Sequence, residues 1–439
     1  MIRRLKRLIH ARNPLRLLWH RGKALAAAAL YGFPARRLTV IGITGTDGKT
    51  TTVGMTAHIL QASGFSTGAL STAFFRVKDD VTWNATQKTS PSPFVIQRFL
   101  RTLVRAGCTH AVLEYSSHGL VQGRSGWTWP SVAAITNTSF EHLDYHGSME
   151  QYRRDKGLLF AMLRGRGTKV LHREDPTFAP YCSYPSERTI GYATAAPSTE
   201  SVREDTILWA DALRSGPPGV TASLHRTARN GNTEDAGLLR LSVPGLFNVE
   251  NALCALACAE AAGISPAQSV RSLETFTGIP GRLESIEGPQ SFTVYVDFTV
   301  TPVAYEKTLS SIRSSLTEGK RLLVLTGSCG DRMREKRPEV GRICSSYADV
   351  VVVSNEDPYT EDPGRIIEEV WSGIDQSRAI ARKIPDRLEA IRYLFSQAKE
   401  GDVVLLCGKG SDTTMMTNVG QIPWNEREIA RMLLNAVRQ

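Results

Sequence analysis

Apolar and polar positions after residue 37 alternate between two patterns. Short apolar runs, of which 38–44 is the first, are typical of buried strands, and longer segments such as 49–62 repeat their apolar positions with the period of a helix. The alternation continues through helical patterns at 92–106 and 150–163 and strand patterns at 109–115 and 132–137. Strands that alternate with helices predict a parallel sheet covered by helices, which is the α/β class of fold.

The stretch from 200 to 243 has a different pattern, because its short alternating runs are broken by glycine, proline and asparagine, and it predicts antiparallel strands. A helical pattern at 248–262 follows, and the glycines and proline at 278–281 are typical of a hinge. Strand-like runs then return at 293–298, 321–326, 350–354 and 403–407. We therefore expect three parts, namely a basic segment at 1–37, a central domain at 38–280 and a second α/β domain at 281–439.

Composition places the chain among ordinary globular proteins, since 41% of its 439 residues are apolar and 22% are charged. These values exclude a fibrous or mostly disordered chain. No apolar run reaches the roughly 18 residues that a membrane-spanning helix needs. The 7 cysteines show no Cys-x-x-Cys spacing, which argues against a zinc ribbon and favours a reducing compartment, so we expect a cytoplasmic protein.

The net charge of +10 has a local origin. Ten of the 53 basic residues lie in 1–37, which has no acid, and the other 43 equal the 43 acids in number. A basic balance confined to one terminal segment gives no indication of a nucleic-acid partner.

The basic segment has amphipathic character. Apolar positions at 2–9 share one helical stripe with bases between them, and Leu15, Leu18 and Trp19 begin a second apolar face. One interpretation is a helix within 1–33 that makes peripheral contact with an anionic membrane. The other is a helix that packs on the central domain with its basic face in water.

The residues TGTDGKTT at 44–51 follow a buried strand and open a helix, which is the context of a phosphate-binding loop. The glycines let backbone amides curl around phosphate oxygens, Lys49 can reach the outer phosphates, and Thr50 can bind Mg²⁺. Ile43 occupies the position of the first glycine of a strict Walker motif, and the alternative is an ordinary glycine-rich turn. The predicted nucleotide contacts are Gly45, Thr46, Asp47, Gly48, Lys49, Thr50 and Thr51.

Further motifs follow this loop in order. They are LEYSSHGL at 113–120, EHLDYHG at 141–147, NVENA at 248–252, PGRLE at 280–284, GDR at 330–332, KRP at 336–338 and GKG at 408–410. This ordered set resembles the Mur ligase family, the ATP-dependent amide ligases of cell-wall precursor synthesis, and within it the branch that extends a UDP-N-acetylmuramoyl-dipeptide. The resemblance implies a central ATP-binding P-loop domain followed by a C-terminal Rossmann-like domain.

The resemblance also implies a reaction. ATP phosphorylates a carboxylate of a muramyl-peptide acceptor, and the amine of a free amino acid then displaces phosphate from the acyl-phosphate. Such transition states carry heavy negative charge, so cations matter more than bases. The implied catalytic residues are Lys49, Glu114, His142 and Lys156. Thr50 and Glu114 would hold one Mg²⁺, and His142 with Lys156, carbamylated by CO₂, would hold a second.

Substrate contacts are carried over from the same motifs. The resemblance assigns Asn251 to the adenine side of ATP, Arg282 to its phosphates and Asp297 to its ribose. Asn251 could instead be a turn or helix-capping asparagine, and Arg282 could instead form a salt bridge at the hinge. The implied acceptor-binding residues, which could otherwise be solvated loop residues, are Thr89, Ser90, Ser116, Gln122 and Arg124.

Three departures from the family pattern change the expected substrates. A separate uridine-binding domain has no counterpart in 1–37, so we expect a lipid-linked or otherwise differently presented muramyl peptide. Where members that add diaminopimelate have Asp-Asn-Pro-Arg, this chain reads EDPY at 356–359, and acids there suit a side chain ending in an amine, such as lysine or ornithine. The histidine of a further motif is absent from DFTVTP at 297–302, which puts nucleotide contacts there in question. The predicted amino-acid contacts are Glu356, Asp357, Tyr359 and Asp412.

Two other functions fit part of the sequence. One is another branch of the same family, either a folylpolyglutamate synthase or a subunit that amidates lipid-linked precursors. The other is a nucleotide-binding regulator without catalysis, and the presence of Lys49, Glu114, His142 and Lys156 argues against it. We expect a monomeric ligase.

Overall fold

The computed structural model describes residues 12–197, 204–216 and 219–436. The amphipathic stripe predicted at 2–9 lies outside these residues. The described part begins with the helix α1 (Pro14–Leu30) and continues into two sheets with helices on both faces. The predicted α/β class is therefore confirmed.

The first sheet has eleven strands among the described residues, in the order β11-β10-β9-β8-β7-β6-β1-β5-β2-β3-β4. Its middle strands are parallel, and antiparallel strands lie at both edges. The strands are β1 (Thr39–Thr44), β2 (Thr67–Leu70), β3 (Phe74–Val77), β4 (Asp80–Trp83), β5 (His110–Glu114), β6 (Val132–Ile135), β7 (Thr168–His172), β8 (Arg188–Ala193), β9 (Thr206–Gly216), β10 (Gly219–Ala228) and β11 (Thr233–Leu241).

The middle of this sheet is buried on both faces. Successive side chains of a strand point to opposite faces, so a central strand contributes to two apolar clusters. Val40 of β1 joins one apolar cluster, whereas Ile41 and Ile43 join the cluster on the other face. The continuous apolar run that predicted β1 is thus that of a fully covered parallel strand. The covering helices are α2 (Lys49–Ala62), α3 (Pro93–Arg105), α4 (Ser117–Val121), α5 (Leu143–His146), α6 (Met149–Ala161), α7 (Phe178–Cys182), α8 (Phe247–Ala261) and α9 (Pro266–Leu273).

The second sheet has the order β12-β13-β17-β14-β15-β16, and it is parallel except for β12. A separate hairpin, β18–β19, precedes the last helix. The strands are β12 (Glu284–Ser285), β13 (Thr293–Asp297), β14 (Leu322–Thr326), β15 (Val350–Val353), β16 (Ile380–Lys383), β17 (Val403–Cys407), β18 (Thr414–Thr417) and β19 (Gly420–Pro423). The helices are α10 (Pro302–Ser315), α11 (Lys336–Tyr347), α12 (Pro363–Trp371), α13 (Arg387–Gln397) and α14 (Glu426–Ala436).

Two of the predicted elements differ from those observed. The strand predicted at 132–137 ends at Ile135, and the residue that follows contacts the predicted phosphate loop, since the Thr136 hydroxyl donates to the Asp47 carbonyl at 2.6 Å. Asn137 likewise accepts a hydrogen bond from the Asp47 amide at 3.0 Å. In the predicted antiparallel stretch, β9 pairs antiparallel with β10 but parallel with β8.

Helix α1 is packed at one end only. Ala24, Ala27 and Ala28 are buried against the first domain, and α1 contacts α3. At the other end Leu15 is 77% exposed and Leu18 is 67% exposed. The apolar face predicted there therefore faces outward. None of the described helices is both long enough and apolar enough to cross a membrane.

The two sheets are joined through the predicted hinge. Gly281 has a φ of 71°, and a Cβ at this position would lie 2.1 Å from the backbone nitrogen of Ser411. The amide of Gly281 also donates to the Glu284 carboxylate at 2.8 Å. A glycine is needed here because the chain both turns with a positive φ and touches the loop after β17.

Candidate active site

A cleft of about 790 Å³ lies between the two sheets. Its walls include the predicted phosphate loop on one side and the loops after β13, β15 and β17 on the other. Ligands of α/β proteins bind at the carboxyl ends of parallel strands, and both sheets present those ends to this cleft. The predicted residues that line it are Thr46, Asp47, Gly48, Lys49, Thr50, Thr51, Thr89, Glu114, His142, Asn251, Arg282, Asp297, Glu356, Asp357, Tyr359 and Asp412.

The glycine turn at 45–48 is packed too closely for larger residues. A Cβ on Gly45, whose φ is 149°, would lie 1.8 Å from the Thr136 hydroxyl. A Cβ on Gly48, whose φ is 78°, would lie 2.0 Å from the Asn251 side-chain oxygen. Helix α2 begins directly after the turn, so its free N–H groups lie at the cleft, where they are suited to bind an anion.

The groups predicted to bind phosphate and a cation meet at the start of α2. Lys49 donates from Nζ to the Thr46 carbonyl at 2.7 Å. The Thr50 hydroxyl donates to Glu114, at the end of β5, at 3.0 Å. The second oxygen of Glu114 accepts from the hydroxyl of Thr72 at 3.0 Å. The strand β5 thus delivers a carboxylate to the phosphate turn, as the motifs predicted.

Asp47 is engaged by the protein itself. Its carboxylate accepts from the Ser139 hydroxyl at 3.2 Å and from the Thr301 hydroxyl at 3.3 Å. Thr301 is the N-cap of α10 in the second domain. The Asp47 side chain therefore ties the phosphate turn to the opposite wall of the cleft, whereas its predicted nucleotide contact stays a prediction.

Lys156 lies beneath the turn rather than on the cleft wall. Its Nζ donates to the Gly45 carbonyl at 2.5 Å and lies 4.3 Å from the centre of the Tyr152 ring. The side chain is fully buried, and this burial, together with the nearby charge of Lys49, holds the Lys156 pKa well below its usual value. Burial therefore favours the neutral amine more at this position than at an exposed lysine.

His142 opens the short helix α5 with a φ of 58°. Its ring lies 4.9 Å from that of His118 and 6.3 Å from that of Tyr152, which also covers Lys156. Burial, and then the neighbouring His118, hold the pKa of His142 well below its usual value, so the imidazole is neutral and able to bind a metal.

Two residues of the quoted motifs form a contact that sequence reasoning did not assign. Lys336 of α11 approaches Glu141 at 3.4 Å and donates to the Val300 carbonyl at 3.0 Å. The other Glu141 oxygen, Oε2, is buried and has no hydrogen-bond partner among the described residues. The sequence indicated only that Glu141 belongs to EHLDYHG and Lys336 to KRP, and the fold is needed to bring the two motifs together.

Possible metal ligands in this cleft are spread along its walls. In the part of the chain that the structure describes, no three His, Cys, Asp or Glu side chains converge into a ready-made metal site. Oxygen donors in the cleft include the Thr50–Glu114 pair and the unpartnered oxygen of Glu141. This set fits Mg²⁺, which is commonly held by one or two carboxylates plus substrate phosphates and water.

The three predicted nucleotide residues outside the turn have distinct surroundings. Arg282 approaches the Thr50 hydroxyl at 3.5 Å, with its guanidinium 4.4 Å from the centre of the Phe298 ring. Asn251 contacts the glycine turn and donates to Asn248 at 2.9 Å. The carboxylate of Asp297 accepts from the Leu283 amide at 2.5 Å, so its ribose contact stays a prediction.

The predicted acceptor residues form one cluster. The Ser90 hydroxyl accepts from the Ser116 amide at 3.0 Å, and the Ser90 carbonyl accepts from the Arg124 guanidinium. Gln122 contacts the Tyr145 hydroxyl at 3.3 Å. Thr89 links this cluster to the cleft, since it accepts a hydrogen bond from Thr72 at 2.8 Å.

The predicted amino-acid residues lie on the far wall. Lys409 is buried, and its Nζ donates to Asp357 at 2.9 Å, so that carboxylate is already compensated. Burial raises the pKa of Asp412 to about 6, which leaves it largely ionised at neutral pH. Tyr359 lies under the Arg332 guanidinium, 5.2 Å from its ring centre. Arg332 is a cleft cation that sequence reasoning did not assign.

The contacts of Glu356 are of a different kind. The Cys329 thiol donates to Glu356 at 2.9 Å, and burial raises the pKa of the Glu356 carboxyl. A Cβ on Gly408 would lie 2.6 Å from a Glu356 oxygen. Glu356 is therefore packed into the cleft wall, and its predicted contact with the amino acid stays a prediction.

This fold and site define a class of protein. A phosphate turn at the head of a helix, with a carboxylate beside it and a second α/β unit across the cleft, belongs to a nucleotide-dependent ligase.

Known proteins agree with this class. The family model described as Mur ligase middle domain matches residues 43–259, and that described as Mur ligase, glutamate ligase domain matches 281–410. The UDP-N-acetylmuramyl-tripeptide synthetase of Roseiflexus sp. (strain RS-1) is 38% identical, covering 93% of this chain and 81% of the relative. The UDP-N-acetylmuramoyl-L-alanyl-D-glutamate--2,6-diaminopimelate ligase of Geobacillus thermodenitrificans (strain NG80-2) is 36% identical, covering 94% and 82%.

A solved structure of a ligase with the same diaminopimelate name superposes with a TM-score of 0.60 at 27% identity, over 92% of this chain and 79% of that one. The chain belongs to the Mur ligase family. It is an ATP-dependent, Mg²⁺-using amide ligase of peptidoglycan precursor synthesis.

The phosphate turn generates the first prediction. Lys49→Ala removes the ammonium at the head of α2, and we expect affinity for ATP in the presence of Mg²⁺ to fall by about 10- to 100-fold, since charge-assisted hydrogen bonds contribute roughly 1.5–3 kcal/mol. Titration calorimetry measures the change. Lys88→Ala, at an exposed lysine, is the control and should bind ATP as the unmodified protein does. Equal affinities for the two variants would contradict the assignment of Lys49.

Proposed function

We propose that this ligase joins a free amino acid to the carboxylate of a muramyl-peptide acceptor. The names of the relatives supply the substrate class. The observation that carries the proposal is the bridge made by Thr72, whose hydroxyl contacts Glu114 at 3.0 Å and Thr89 at 2.8 Å. A single residue, Thr72, thus connects the phosphate side of the cleft to the acceptor cluster. Transfer of a phosphoryl group to an acceptor carboxylate requires the two to be this close.

The reaction has two steps with balanced charges. An oxygen of the acceptor carboxylate attacks the terminal phosphorus of ATP, ADP leaves, and the acceptor becomes an acyl-phosphate. The amine nitrogen of the amino acid then attacks the acyl carbon, orthophosphate leaves with the C–O electron pair, and the nitrogen loses a proton. Lys49, Arg282 and Lys336 line the cleft and stabilise the negative charge of both steps.

Two magnesium positions are part of the proposal. Thr50 and Glu114 would hold one ion, and His142 with a modified Lys156 would hold the other. The unpartnered oxygen of Glu141 supports a cation nearby, because an isolated buried carboxylate oxygen is costly. When bound, Mg²⁺ supplies positive charge to the phosphate oxygens.

The modification proposed at Lys156 is a carbamate. The neutral Nζ attacks the carbon of CO₂, a C–N bond forms, one C=O electron pair moves to oxygen, and the nitrogen loses a proton. Burial and the charge of Lys49 support this, because both hold the pKa of Lys156 well below its usual value and so favour the nucleophilic free amine. The product is an anion beside Lys49, so the repulsion between the Lys49 and Lys156 ammonium groups is removed.

Removal of Lys156 tests the carbamate. We expect Lys156→Ala to lower kcat by at least about 100-fold, the scale of losing one charged group at such a centre. Depletion of CO₂ should slow the unmodified enzyme, and bicarbonate should restore it but leave Lys156→Ala unchanged. Lys88→Ala is the control. Turnover by Lys156→Ala at the unmodified rate, or no carbamate mass on the peptide that carries Lys156, would refute the modification.

The incoming amino acid is proposed to be one whose side chain ends in an amine. Asp412 lines the same wall as Tyr359. Asp357 and Asp412 share one ammonium, because Nζ of Lys409 lies 2.9 Å from Asp357 and 3.4 Å from Asp412, so two carboxylates face a single lysine there. A tyrosine at 359 offers no cation for a second carboxylate, and Arg332 above it can pair with the α-carboxylate. Lysine or ornithine fits this arrangement better than diaminopimelate.

A substitution at Tyr359 tests this preference. The unmodified enzyme should use lysine or ornithine with a higher kcat/KM than diaminopimelate. Tyr359→Arg should raise kcat/KM for diaminopimelate at least about tenfold relative to lysine, because a guanidinium pairs bidentately with the second carboxylate. Tyr359→Phe is the matched control and should keep the original order. A clear preference of the unmodified enzyme for diaminopimelate would overturn the proposal.

The acceptor is proposed to be presented at an anionic membrane. The exposed apolar residues Leu15, Leu18 and Trp19 of α1 support this, together with the ten bases and no acids of 1–37. The middle of α1 approaches the loop that carries Arg124, since a Cβ on Gly123 would lie 3.0 Å from the Arg21 side chain. A membrane bound by α1 would therefore lie near the acceptor cluster.

Flotation with phosphatidylglycerol vesicles tests the membrane contact. Replacing Leu15, Leu18 and Trp19 together by serine should lower vesicle binding at least about tenfold, because burial of each large apolar side chain contributes roughly 1.5–3 kcal/mol. Val419→Ser is the control, since Val419 is 89% exposed on the distant β18–β19 hairpin. Unchanged binding by the triple variant, or no binding by the unmodified enzyme, would refute the contact.

A further inference from the structure

A chain of polar contacts runs from the N-terminal segment into the site. Arg12 donates two hydrogen bonds to Asp155, at 2.6 and 3.0 Å. Asp155 contacts Nδ1 of His146 at 2.5 Å. Nε2 of His146 contacts the Ser117 hydroxyl at 3.0 Å. Four residues from three separate parts of the sequence are thus connected in a single line.

The geometry of Ser117, His146 and Asp155 is that of a nucleophilic triad, but its burial excludes that role. The His146 side chain is fully enclosed, and Ser117 is 2% exposed. A substrate carbonyl has no route to the hydroxyl, so no acyl-enzyme can form there. The contacts instead fix the orientation of the imidazole, because each ring nitrogen has one partner.

The fixed imidazole holds two parts of the active site. On one side its ring lies 5.1 Å from that of His118, which lies in the first turn of α4, two residues after the proposed acceptor residue Ser116. On the other side it lies 4.9 Å from the ring of Tyr152. The Tyr152 hydroxyl contacts the Thr46 hydroxyl of the phosphate turn at 3.2 Å.

The same tyrosine covers the proposed carbamate position, since Nζ of Lys156 lies 4.3 Å from the centre of its ring. A shift of the imidazole would therefore be transmitted to both the acceptor turn and the helix α6 that bears Lys156. Asp155 is the residue of α6 that anchors the imidazole. Gln151 of the same helix also donates a hydrogen bond to the Asp155 carboxylate, at 2.9 Å.

We propose that Arg12 and Asp155 are positioning residues of the ligase, which makes the N-terminal segment a structural part of its active site. Their bidentate ion pair fixes the orientation of the His146 ring. That ring then fixes the distance between residues 116–118 and the face of α6 that carries Tyr152 and Lys156. The catalytic consequence rests on the proposed function, whereas the spacing itself is a property of the folded chain. Bidentate arginine–carboxylate pairs of this kind are geometrically specific.

The test uses the full-length protein with Arg12→Ala, Arg12→Lys and Asp155→Asn. Arg154→Ala is the matched control, because Arg154 lies on the same helix and forms an exposed ion pair with Glu150. Amide hydrogen exchange of peptides covering 116–121 and 149–156 reports the spacing without requiring turnover. Steady-state kinetics with acceptor, amino acid and ATP report its catalytic effect.

We expect Arg12→Ala and Asp155→Asn to raise exchange in these two peptides alone and to lower kcat about tenfold, with KM for ATP changed less than about twofold. Arg12→Lys should recover part of both effects, and Arg154→Ala should match the unmodified protein. The double variant should be no worse than Asp155→Asn alone, since both act through one contact.

Three results would overturn the inference. The first is hydrogen exchange in the two peptides that is equal in Arg12→Ala and Arg154→Ala. The second is a rise in exchange that is spread evenly over the chain. The third is an unchanged kcat of Arg12→Ala and Asp155→Asn in an assay in which the unmodified enzyme turns over. If the unmodified protein forms no amide bond, the proposed function fails on its own, and the exchange comparison still decides whether Arg12 and Asp155 set the spacing.

Discussion

The close packing of the glycine turn at 45–48 is the constraint on which the site depends. Gly45 leaves no room beside Thr136, and Gly48 leaves none beside Asn251. Other parts of the site then take their positions from the turn. Lys156 donates to its backbone, and Glu114 contacts the first residues of α2. A phosphate bound there has cations, a carboxylate and the free amides of a helix around it, which is the environment that phosphoryl transfer requires.

The second domain completes this environment instead of merely covering it. Thr301 contacts Asp47 of the turn, Lys336 contacts Glu141, and Arg282 approaches Thr50. These contacts cross the cleft from the loops and helix ends of the second sheet. An acyl-phosphate hydrolyses readily, so enclosure between two domains protects it from water until the amine arrives. The close approach of Gly281 to Ser411 places the connection between the domains at the rim of the same cleft.

Local sequence predicted the elements whose causes are local. The bounds of α2 were predicted as Lys49–Ala62 because a glycine turn and a helical apolar period define them. The strand at 132–137 was predicted too long, because it ends at Ile135 and Thr136 contacts Asp47, which is far away in sequence and leaves no mark on the local apolar pattern. The pairing of Asp357 with Lys409 and the contact of Arg12 with Asp155, 143 residues apart, have no local pattern at all. The motifs predicted many of the residues that line the cleft, but only the fold shows which charges are already compensated.

The central claim is that a triphosphate held at the turn activates a carboxylate for capture by an amine. The most direct measurement gives the purified protein ATP, Mg²⁺, a muramyl-dipeptide acceptor in soluble and lipid-linked forms, and a panel of amino acids, and follows orthophosphate and new amide together. The account predicts that the two products appear in equal amounts and that neither appears without the acceptor. Orthophosphate release without a new amide bond, or no release with any acceptor and amino acid, would contradict it.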